Sequence, residues 1–444
     1  MDETAVSSPP VAPETGARVD IAGASKHFGT TSALAGVHLH VEPGTFLVLL
    51  GPSGSGKTTL LRCLAGIERL SEGTIAIGGL QVAAPGLHLP PERRRLAMVF
   101  QDYALWPHMS ALKNVMFPLR QRRLPGHEVR RRAQEMLERV GLAQLAGRYP
   151  NELSGGEQQR VALARALVGG TGLVLFDEPL SNLDADMREQ LRLAISTLAR
   201  DSGATSIYIT HDQTEAFSLA DKVGVLRSGR LVQLGTPEDL YMQPANPFVA
   251  RFTGICAEMP VTLAGTPSPR ALEGGPCHLG AGDGTADKGP RGGWGQSARE
   301  GTRSKDPGSK TSFVELRLPG EAGTTVTGTL PRTVPVGVAL RMFVRPSAVQ
   351  LGEPSSSRLV ARVRDVAFAG RGYEHALLTR GGCLFTRVFC QERWPRGSTV
   401  GVRLQPEGCL VLPAEPGASE VSGEAASEVP VGPYGVASLS QMSQ

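Results

Sequence analysis

Short apolar runs alternate with amphipathic stretches through residues 18–254 of this 444-residue chain. Glycine or polar residues bound each run, and a short bounded apolar run is typical of a buried strand. Such runs lie at residues 45–50, 96–100 and 205–209. Because buried strands alternate with helical stretches, the pattern predicts a mostly parallel sheet covered by helices.

Helical spacing of apolar side chains marks the other elements of this region. It predicts a helix at residues 57–65, which Gly66 ends, and a second helix between His127 and Gly141. The latter belongs to a helical insert at about residues 101–165. A short helix is expected to begin at residues 236–239. Threonine can cap it, proline suits its first helical position, and two acidic residues in the first turn favour the helix dipole.

The flanking segments have a different composition. Residues 1–17 are rich in proline and small polar residues and predict a disordered leader, and residues 255–312 predict a flexible glycine- and proline-rich insertion. Alternating apolar and polar positions in residues 313–413 predict a small antiparallel β domain. Residues 414–444 predict a disordered tail.

Composition narrows the functional class only slightly. The chain is 41% hydrophobic and 20% charged, with a net charge of +4, so nothing in its balance favours nucleic acid as a partner. The basic run at residues 120–132 is interpreted as a solvated helix face, and the six cysteines lack metal-ligand spacing. The longest apolar run, residues 46–50, is far shorter than a membrane span. We therefore expect a cytosolic protein whose membrane role, if any, requires a partner.

A glycine-rich loop at residues 51–58 follows the first buried strand and opens a helix. Its glycines allow backbone N–H groups to point at phosphate oxygens, and the helix that begins at Lys57 adds its positive dipole end. Lys57 would neutralise the β- and γ-phosphates. Thr58 and Asp177, the latter at the end of another apolar run, are suited to hold Mg²⁺. The loop predicts binding of a nucleoside triphosphate.

Hydrolysis also requires a group that orients or deprotonates the attacking water. Glu178, adjacent to Asp177, is the best candidate for this base, and His211 ends a strand from which it could reach the γ-phosphate. Gln101 closes another strand, can ligate Mg²⁺ through its amide oxygen and would report the nucleotide state. These residues predict an ATPase.

A second anion site is predicted where Ser154 precedes Gly155 and Gly156 at the start of a helix, since bare helix N-terminal amides bind phosphate. The helical insert separates this site from Lys57. Both could therefore grip one γ-phosphate only if two chains supply them, which predicts a head-to-tail pair with two composite ATP sites. Tyr103 and Trp106 would form a docking patch if exposed, with core packing as the alternative.

With these motifs in order, residues 19–252 resemble the ATP-binding subunits of ABC transporters, and most of all those of bacterial importers of the maltose, polyamine, ferric-iron and sulfate group. The resemblance implies an α/β P-loop NTPase fold, an ABC ATPase cassette with a helical subdomain, followed by a small all-β, OB-like (TOBE) domain. It implies ATP and Mg²⁺ as cofactors, with catalytic roles for Lys57, Glu178 and His211. Thr58, Gln101 and Asp177 would hold the metal. The implied ATP contacts are Phe28, Gly51, Pro52, Ser53, Gly54, Ser55, Gly56, Lys57, Thr58, Thr59, Gln101, Ser154, Gly155, Gly156 and Asp184.

Two residues depart from the family pattern, in which Glu157 is more often glutamine and Phe28 is usually tyrosine or tryptophan. Phe28 would stack on adenine, with a core phenylalanine as the alternative. The resemblance also implies partners: a second copy of the chain, membrane permease subunits that contact residues 103–109, and indirectly a solute-binding protein. The expected location is peripheral, on the cytoplasmic face of the inner membrane.

The family resemblance leaves the solute open among ferric iron, polyamines, quaternary amines and other small solutes. A different class, a soluble ABC ATPase that acts on ribosomes or nucleic acid, usually carries two cassettes or a long coiled coil, and neither occurs here. A catalytically silent scaffold is a third alternative, but every residue that the chemistry requires is present.

Overall fold

The computed structural model describes residues 16–122, 124–264, 312–321, 324–330 and 338–415. These form two compact units, one ending at Ile255 and the other beginning at Cys256. Most of the leader predicted at residues 1–17, most of the predicted insertion and most of the predicted tail lie outside the described residues.

The first unit consists of strands and helices in alternation. Its strands are β1 (Val19–Phe28), β2 (Thr31–Val41), β3 (Phe46–Leu50), β4 (Glu72–Ile77), β5 (Leu80–Ala84), β6 (Leu87–His88), β7 (Leu96–Val99), β8 (Leu173–Asp177), β9 (Thr205–Thr210), β10 (Lys222–Arg227) and β11 (Arg230–Gly235). Its helices are α1 (Lys57–Ala65), α2 (Ala111–Arg120), α3 (Gly126–Arg139), α4 (Gly155–Leu167), α5 (Ala185–Ser202), α6 (Gln213–Leu219), α7 (Pro237–Met242) and α8 (Pro247–Phe252).

A six-stranded sheet in the order β11-β10-β3-β9-β8-β7 forms the centre of this unit, and all its pairs are parallel except β10 with β11. β3 is buried on both faces, which explains its uninterrupted run of large apolar residues. Phe46, Val48 and Leu50 pack toward the helical insert, whereas Leu47 and Leu49 pack toward α1. The predicted mostly parallel sheet is confirmed.

A second sheet, β2-β1-β4-β5-β6, is antiparallel throughout and was not expected from the sequence. Its residues Val19, Ile21, Val37 and Leu39 share one core with α1. Register shifts interrupt the β1–β2 pairing at several points, so that strict alternation of apolar positions is lost along β1. This sheet braces the helix that follows the phosphate loop.

The helices begin where the sequence provides caps. Ser154 starts α4 and Thr236 starts α7, each as half of a capping box that is completed by Glu157 or Asp239. The helix predicted at residues 236–239 is therefore confirmed, and α2, α3 and α4 occupy the region in which a helical insert was expected. In the described parts of the chain, each helix is too short or too polar to cross a bilayer.

The second unit contains only strands and short 3₁₀ turns among its described residues. The strands are β12 (Ala257–Leu263), β13 (Ser312–Arg317), β14 (Thr325–Leu330), β15 (Leu340–Val344), β16 (Val349–Gly352), β17 (Leu359–Phe368), β18 (Tyr373–Thr379), β19 (Leu384–Cys390), β20 (Thr399–Leu404) and β21 (Cys409–Pro413). β12, β13, β14, β21 and β15 close a barrel, and β16, β20, β17, β18 and β19 form a second sheet. The pairing of β14 with β21 is parallel, although an antiparallel domain was expected.

β12 corrects the predicted boundary of the flexible insertion at residue 255. Ala257, Met259 and Val261 point into the barrel core, while Pro260 faces outward opposite Arg341. An exposed proline is tolerated at such a position, but in the sequence it resembles the start of a proline-rich segment. The first strand of the β unit therefore precedes the low-complexity stretch.

Candidate ATP-hydrolysis site

The loop between β3 and α1 has a shape that only glycine permits at two positions. A Cβ atom on Gly51 would lie 2.4 Å from the carbonyl oxygen of Leu226, and one on Gly56 would lie 2.5 Å from that of Ala33. Gly56 also has a φ of 101°, which side chains strongly disfavour. The loop can therefore curl tightly against neighbouring backbone, which directs its N–H groups inward.

Lys57, the first residue of α1, lies back across this loop. Its Nζ donates to the carbonyl oxygens of Gly51 at 2.7 Å and Pro52 at 3.1 Å, and only 5% of the residue is exposed. Burial lowers the pKa of Lys57, and the nearby Glu178 carboxylate opposes that shift. The ammonium group is thus held where phosphate oxygens would replace the two carbonyl acceptors, next to the half-buried Thr58.

Asp177 ends β8 and Glu178 follows it, at the edge where the parallel strands β3, β8 and β9 all end. Asp177 pairs with Ile209 of β9, and Leu50 of β3 pairs with Thr210. Burial raises the pKa of the Asp177 carboxyl, which makes no side-chain hydrogen bond within the described residues. The Asp177 carboxylate and the hydroxyl of Thr58, the last residue of the phosphate loop, are both oxygen donors, and such a donor set fits Mg²⁺.

Glu178 has a φ of 43°, a left-handed conformation that is uncommon for glutamate. Its N–H donates to the carbonyl oxygen of Ile209 at 3.2 Å, and its own carbonyl accepts from the Ser181 hydroxyl at 3.0 Å. These bonds fix a backbone that would otherwise relax. His211 lies opposite, with its Nδ1 3.2 Å from Oε2 of Glu178.

Gln101 follows β7 and has an exposed side chain. The backbone carbonyl oxygen of Gln101 accepts from Nδ2 of Asn182 at 3.2 Å. This bond links Gln101 to the segment that follows Glu178. The structure therefore connects the predicted nucleotide sensor to the predicted base through the residues around Ser181 and Asn182.

Tyr103 is only 9% exposed and belongs to the core of the first unit, so the core-packing alternative is correct for this residue and the exposed patch was wrong. Its backbone is left-handed, with a φ of 63°. Trp106 is half-buried and packs on Phe117, with ring centroids 4.2 Å apart. Beside it, Phe100, Ala104 and residues of α2 line a cleft of about 610 Å³.

The N-terminus of α4 presents the second predicted anion site. The Ser154 hydroxyl accepts from the Glu157 N–H at 3.4 Å, and the Glu157 carboxylate accepts from the Ser154 N–H at 2.8 Å. Ser154 and Gly155 are exposed, whereas Gly156 packs against Met187. None of the hydrogen bonds or ion pairs within the described residues joins these positions to the phosphate loop.

Phe28 and Asp184 are two further residues that were predicted to contact ATP, a role that stays a prediction for both. Phe28 ends β1 with 48% of its surface exposed, so the core alternative is wrong, and Nζ of Lys26 lies 4.6 Å from its ring centroid. Asp184 caps α5 by accepting from the Met187 N–H at 2.9 Å. Stacking of Phe28 on adenine stays a prediction.

Two buried polar groups near the site were missed in the sequence. Arg94 donates to the carbonyl oxygens of Cys63 at 2.6 Å and Leu64 at 2.9 Å, which places a positive charge at the C-terminus of α1. Tyr208 is on β9, the strand that His211 follows, and its hydroxyl donates to the Glu215 carboxylate at 2.8 Å. Arg94 lies within a run of arginines that resembles a solvated surface, so the sequence offers no signal for it.

Comparison with known proteins agrees with this geometry. The ABC transporter family matches residues 34–181, and the TOBE domain family matches residues 342–412. An Fe(3+) ions import ATP-binding protein from Rhizobium etli is 37% identical over 88% of this chain and 96% of its own length. A spermidine/putrescine import ATP-binding protein from Oleidesulfovibrio alaskensis is 39% identical over 77% of this chain and 88% of its own.

A trehalose/maltose import ATP-binding protein from Thermococcus litoralis is 49% identical, over 52% of this chain and 62% of its own length. Among solved structures, a dimeric ATP-binding cassette bound to ADP and phosphate is 32% identical over 49% of this chain and 98% of that chain, with a TM-score of 0.44. The chain belongs to the ABC transporter ATP-binding protein family and is an ATPase with a C-terminal TOBE domain.

Proposed function

We propose that this protein is the motor subunit of a solute importer, in which ATP binding joins two copies and hydrolysis separates them again. The observation that carries the proposal is the convergence of Lys57, Asp177, Glu178 and His211 at one edge of the parallel sheet. The relatives named above are all import ATP-binding proteins, which supports import as the direction of transport.

Each residue at this edge has a role that follows from its chemistry. Lys57 leaves its two carbonyl acceptors and binds β- and γ-phosphate oxygens, while the loop glycines supply N–H donors. Glu178 accepts a proton from the attacking water, and His211 orients the glutamate and contacts the γ-phosphate. Thr58, Asp177 and Gln101 would hold Mg²⁺, which when bound neutralises charge on the phosphates.

The second copy supplies the missing part of the site. Ser154, Gly155 and Gly156 are at the N-terminus of α4, and none of the hydrogen bonds among the described residues joins them to residues 51–58 of their own chain. In a head-to-tail dimer, each α4 N-terminus would bind the γ-phosphate held by the other chain. Two composite sites would then close together.

The partners of the dimer are permease subunits. The cleft beside Trp106 and Phe117 is largely apolar, and its lining includes Phe100, the residue before Gln101. A permease helix would dock to this cleft and to residues 103–109. This implies a peripheral position on the cytoplasmic face of the inner membrane, with a solute-binding protein as an indirect partner. The solute is ferric iron, a polyamine, a quaternary amine or another small solute.

Affinity purification of the tagged full-length chain from detergent-solubilised membranes tests this proposal. We expect recovery of a multi-span membrane protein and stimulation of phosphate release when that protein is present. The control variant Arg131→Gln alters an exposed α3 side chain paired with Glu128 and Glu135 and should recover the same partner. Recovery with ribosomes alone would favour the alternative of a soluble ABC ATPase and contradict the importer.

A further inference from the structure

Arg165 joins the helix that begins at Ser154 to the segment that follows Gln101. It lies in the last turn of α4, where its Nη1 donates to the carbonyl oxygen of Ala104 at 2.7 Å and its Nη2 to that of Tyr103 at 2.9 Å. Its guanidinium lies 4.8 Å from the ring centroid of Trp106. One side chain thus binds two adjacent carbonyls and an aromatic face, a geometry that the planar fork of arginine allows and lysine does not.

The two carbonyls belong to a strained turn. Tyr103 and Ala104 have φ angles of 63° and 45°, and consecutive non-glycine residues in the left-handed region cost free energy. The local hydrogen bonds of this turn are those from the Tyr103 N–H to Phe100 and from the Ala104 N–H to Asp102. Arg165 therefore provides the contact that binds the strained turn to α4.

Tyr103 contacts the other end of the same helix. Its hydroxyl oxygen would lie 3.6 Å from a Cβ atom built on Gly155, at the N-terminus where the predicted phosphate contact is made. Because its backbone carbonyl is bound by Arg165 and its hydroxyl lies near Gly155, Tyr103 approaches α4 at two points. A shift of the turn would therefore be felt at both ends of the helix.

Arg165 is half-buried, and this partial burial is costly. Desolvation lowers the pKa of its guanidinium, and no carboxylate forms an ion pair with it in the described part of the chain. A half-buried charge bound only to carbonyls and an aromatic ring gains less than one paired with a carboxylate. Packing alone does not explain an arginine at this position, whereas a requirement for two directed donors does.

We propose that Arg165 is a positioning residue that transmits the state of Gln101 to the Ser154–Gly156 end of α4. The inference rests on the proposed function, because it assumes that Gln101 senses nucleotide and that α4 binds the γ-phosphate of a second chain. Asn182 donates to the backbone carbonyl of Gln101, and the turn that Arg165 binds begins two residues after Gln101, so a displacement of Gln101 would be passed along the chain toward Arg165. Nucleotide in the phosphate loop would thereby set the orientation of α4.

The test compares Arg165→Lys and Arg165→Gln in the full-length protein with the matched control Arg160→Lys. Arg160 is on the same helix and also donates to a carbonyl, that of Val140 at 3.2 Å, but it lies away from Tyr103. For both Arg165 variants we expect Mg-ATP affinity within about twofold of the native protein and phosphate release reduced about tenfold, as loss of a charge-assisted hydrogen bond predicts. Arg160→Lys should retain both properties.

Trp106 fluorescence provides a readout that a general loss of stability would not reproduce. In the Glu178→Gln background, Mg-ATP should change the Trp106 emission, identified by its disappearance in Trp106→Phe, and both Arg165 substitutions should abolish this change. Native-like phosphate release by Arg165→Lys, or equal losses in Arg160→Lys and Arg165→Lys, would overturn the inference. Failure of the native protein to hydrolyse ATP would instead contradict the proposed function.

Discussion

His211 and Glu178 form a direct pair, with Nδ1 of the histidine 3.2 Å from Oε2 of the glutamate. The two residues directly follow neighbouring parallel strands, and Glu178 has a left-handed backbone with a φ of 43°. A base that is held by a second polar group is ready to orient water without further rearrangement. We therefore expect this pair to determine whether bound ATP is hydrolysed.

Replacement of Glu178 by glutamine should remove the proton acceptor and keep the shape of the site. Phosphate release is expected to fall by about 100- to 10,000-fold, the usual contribution of general base catalysis. ATP binding should persist because Lys57 and the loop are unchanged. A steady-state phosphate assay checks this, with Glu135→Gln on the exposed face of α3 as the control. Native turnover in Glu178→Gln would remove the glutamate from its proposed role.

Replacement of Lys57 by alanine should weaken nucleotide binding. The buried ammonium loses its contacts to phosphate, a change worth about 1.5–3 kcal/mol for a hydrogen bond to a charged group, or roughly 10- to 150-fold in affinity. Titration with a fluorescent ATP analogue measures it. The exposed Lys113 on α2 provides the matched control Lys113→Ala. Equal affinity of the Lys57 and Lys113 variants would contradict the loop assignment.

Glu157→Gln should strengthen the ATP-dependent dimer. Glutamine retains an oxygen that accepts from the Ser154 N–H, but it removes a negative charge at the helix end where the γ-phosphate would bind. The gain is expected to be about twofold to fivefold at low salt and smaller at high salt, as for other exposed charge pairs. Light scattering against ATP concentration measures it.

The control for that substitution is Glu152→Gln, since Glu152 caps the Tyr149 N–H at 2.7 Å in the preceding turn in the same manner. It should leave dimerisation unchanged. A gain that persists at high salt, or that Glu152→Gln reproduces, would show that repulsion of the phosphate is not the cause.

The β unit should lose stability as the pH falls. His375 is 1% exposed, and its Nε2 accepts from the backbone N–H of Trp394 at 3.2 Å. Burial lowers the pKa of His375. Because the unfolded chain binds the proton more readily, this contribution is complete above the unfolded pKa of about 6.5 and is lost as the pH decreases below it. Thermal unfolding between pH 8 and pH 5 measures the effect.

In that experiment His375→Gln should be less stable at pH 8 and should show a weaker dependence on pH, whereas His108→Gln, at an exposed position, should follow the native protein. An unchanged pH dependence in His375→Gln would exclude His375 as its source.

Local signals were sufficient for much of the cassette. The apolar run of β3, the glycine that ends α1 and the capping residues of α7 each depend on neighbours in sequence, and the structure confirms all three elements. The antiparallel sheet was missed because bulges in β1 break the alternation of apolar and polar positions. β12 was missed because it contains Pro260, which a strand tolerates at an outward-facing position that the sequence alone does not reveal.

Features of the site that depend on distant parts of the chain could not be predicted. The left-handed backbone of Glu178 requires its bond to Ile209, and the buried position of Tyr103 requires contacts with Gly155 and Arg165. Sequence motifs identified the chemical groups, but tertiary contacts set their orientation.

Light scattering of Glu178→Gln after size-exclusion chromatography with Mg-ATP measures whether ATP joins two copies of the chain. We predict a mass twice that of the 46.9 kDa chain with ATP and a single-chain mass without it. The double variant with Gly155→Glu should bind ATP and remain a single chain, and a Cβ atom at position 155 would lie 3.6 Å from the Tyr103 hydroxyl, an ordinary contact distance in its own chain. A monomer in the first case, or a dimer in both, would contradict a composite ATP site.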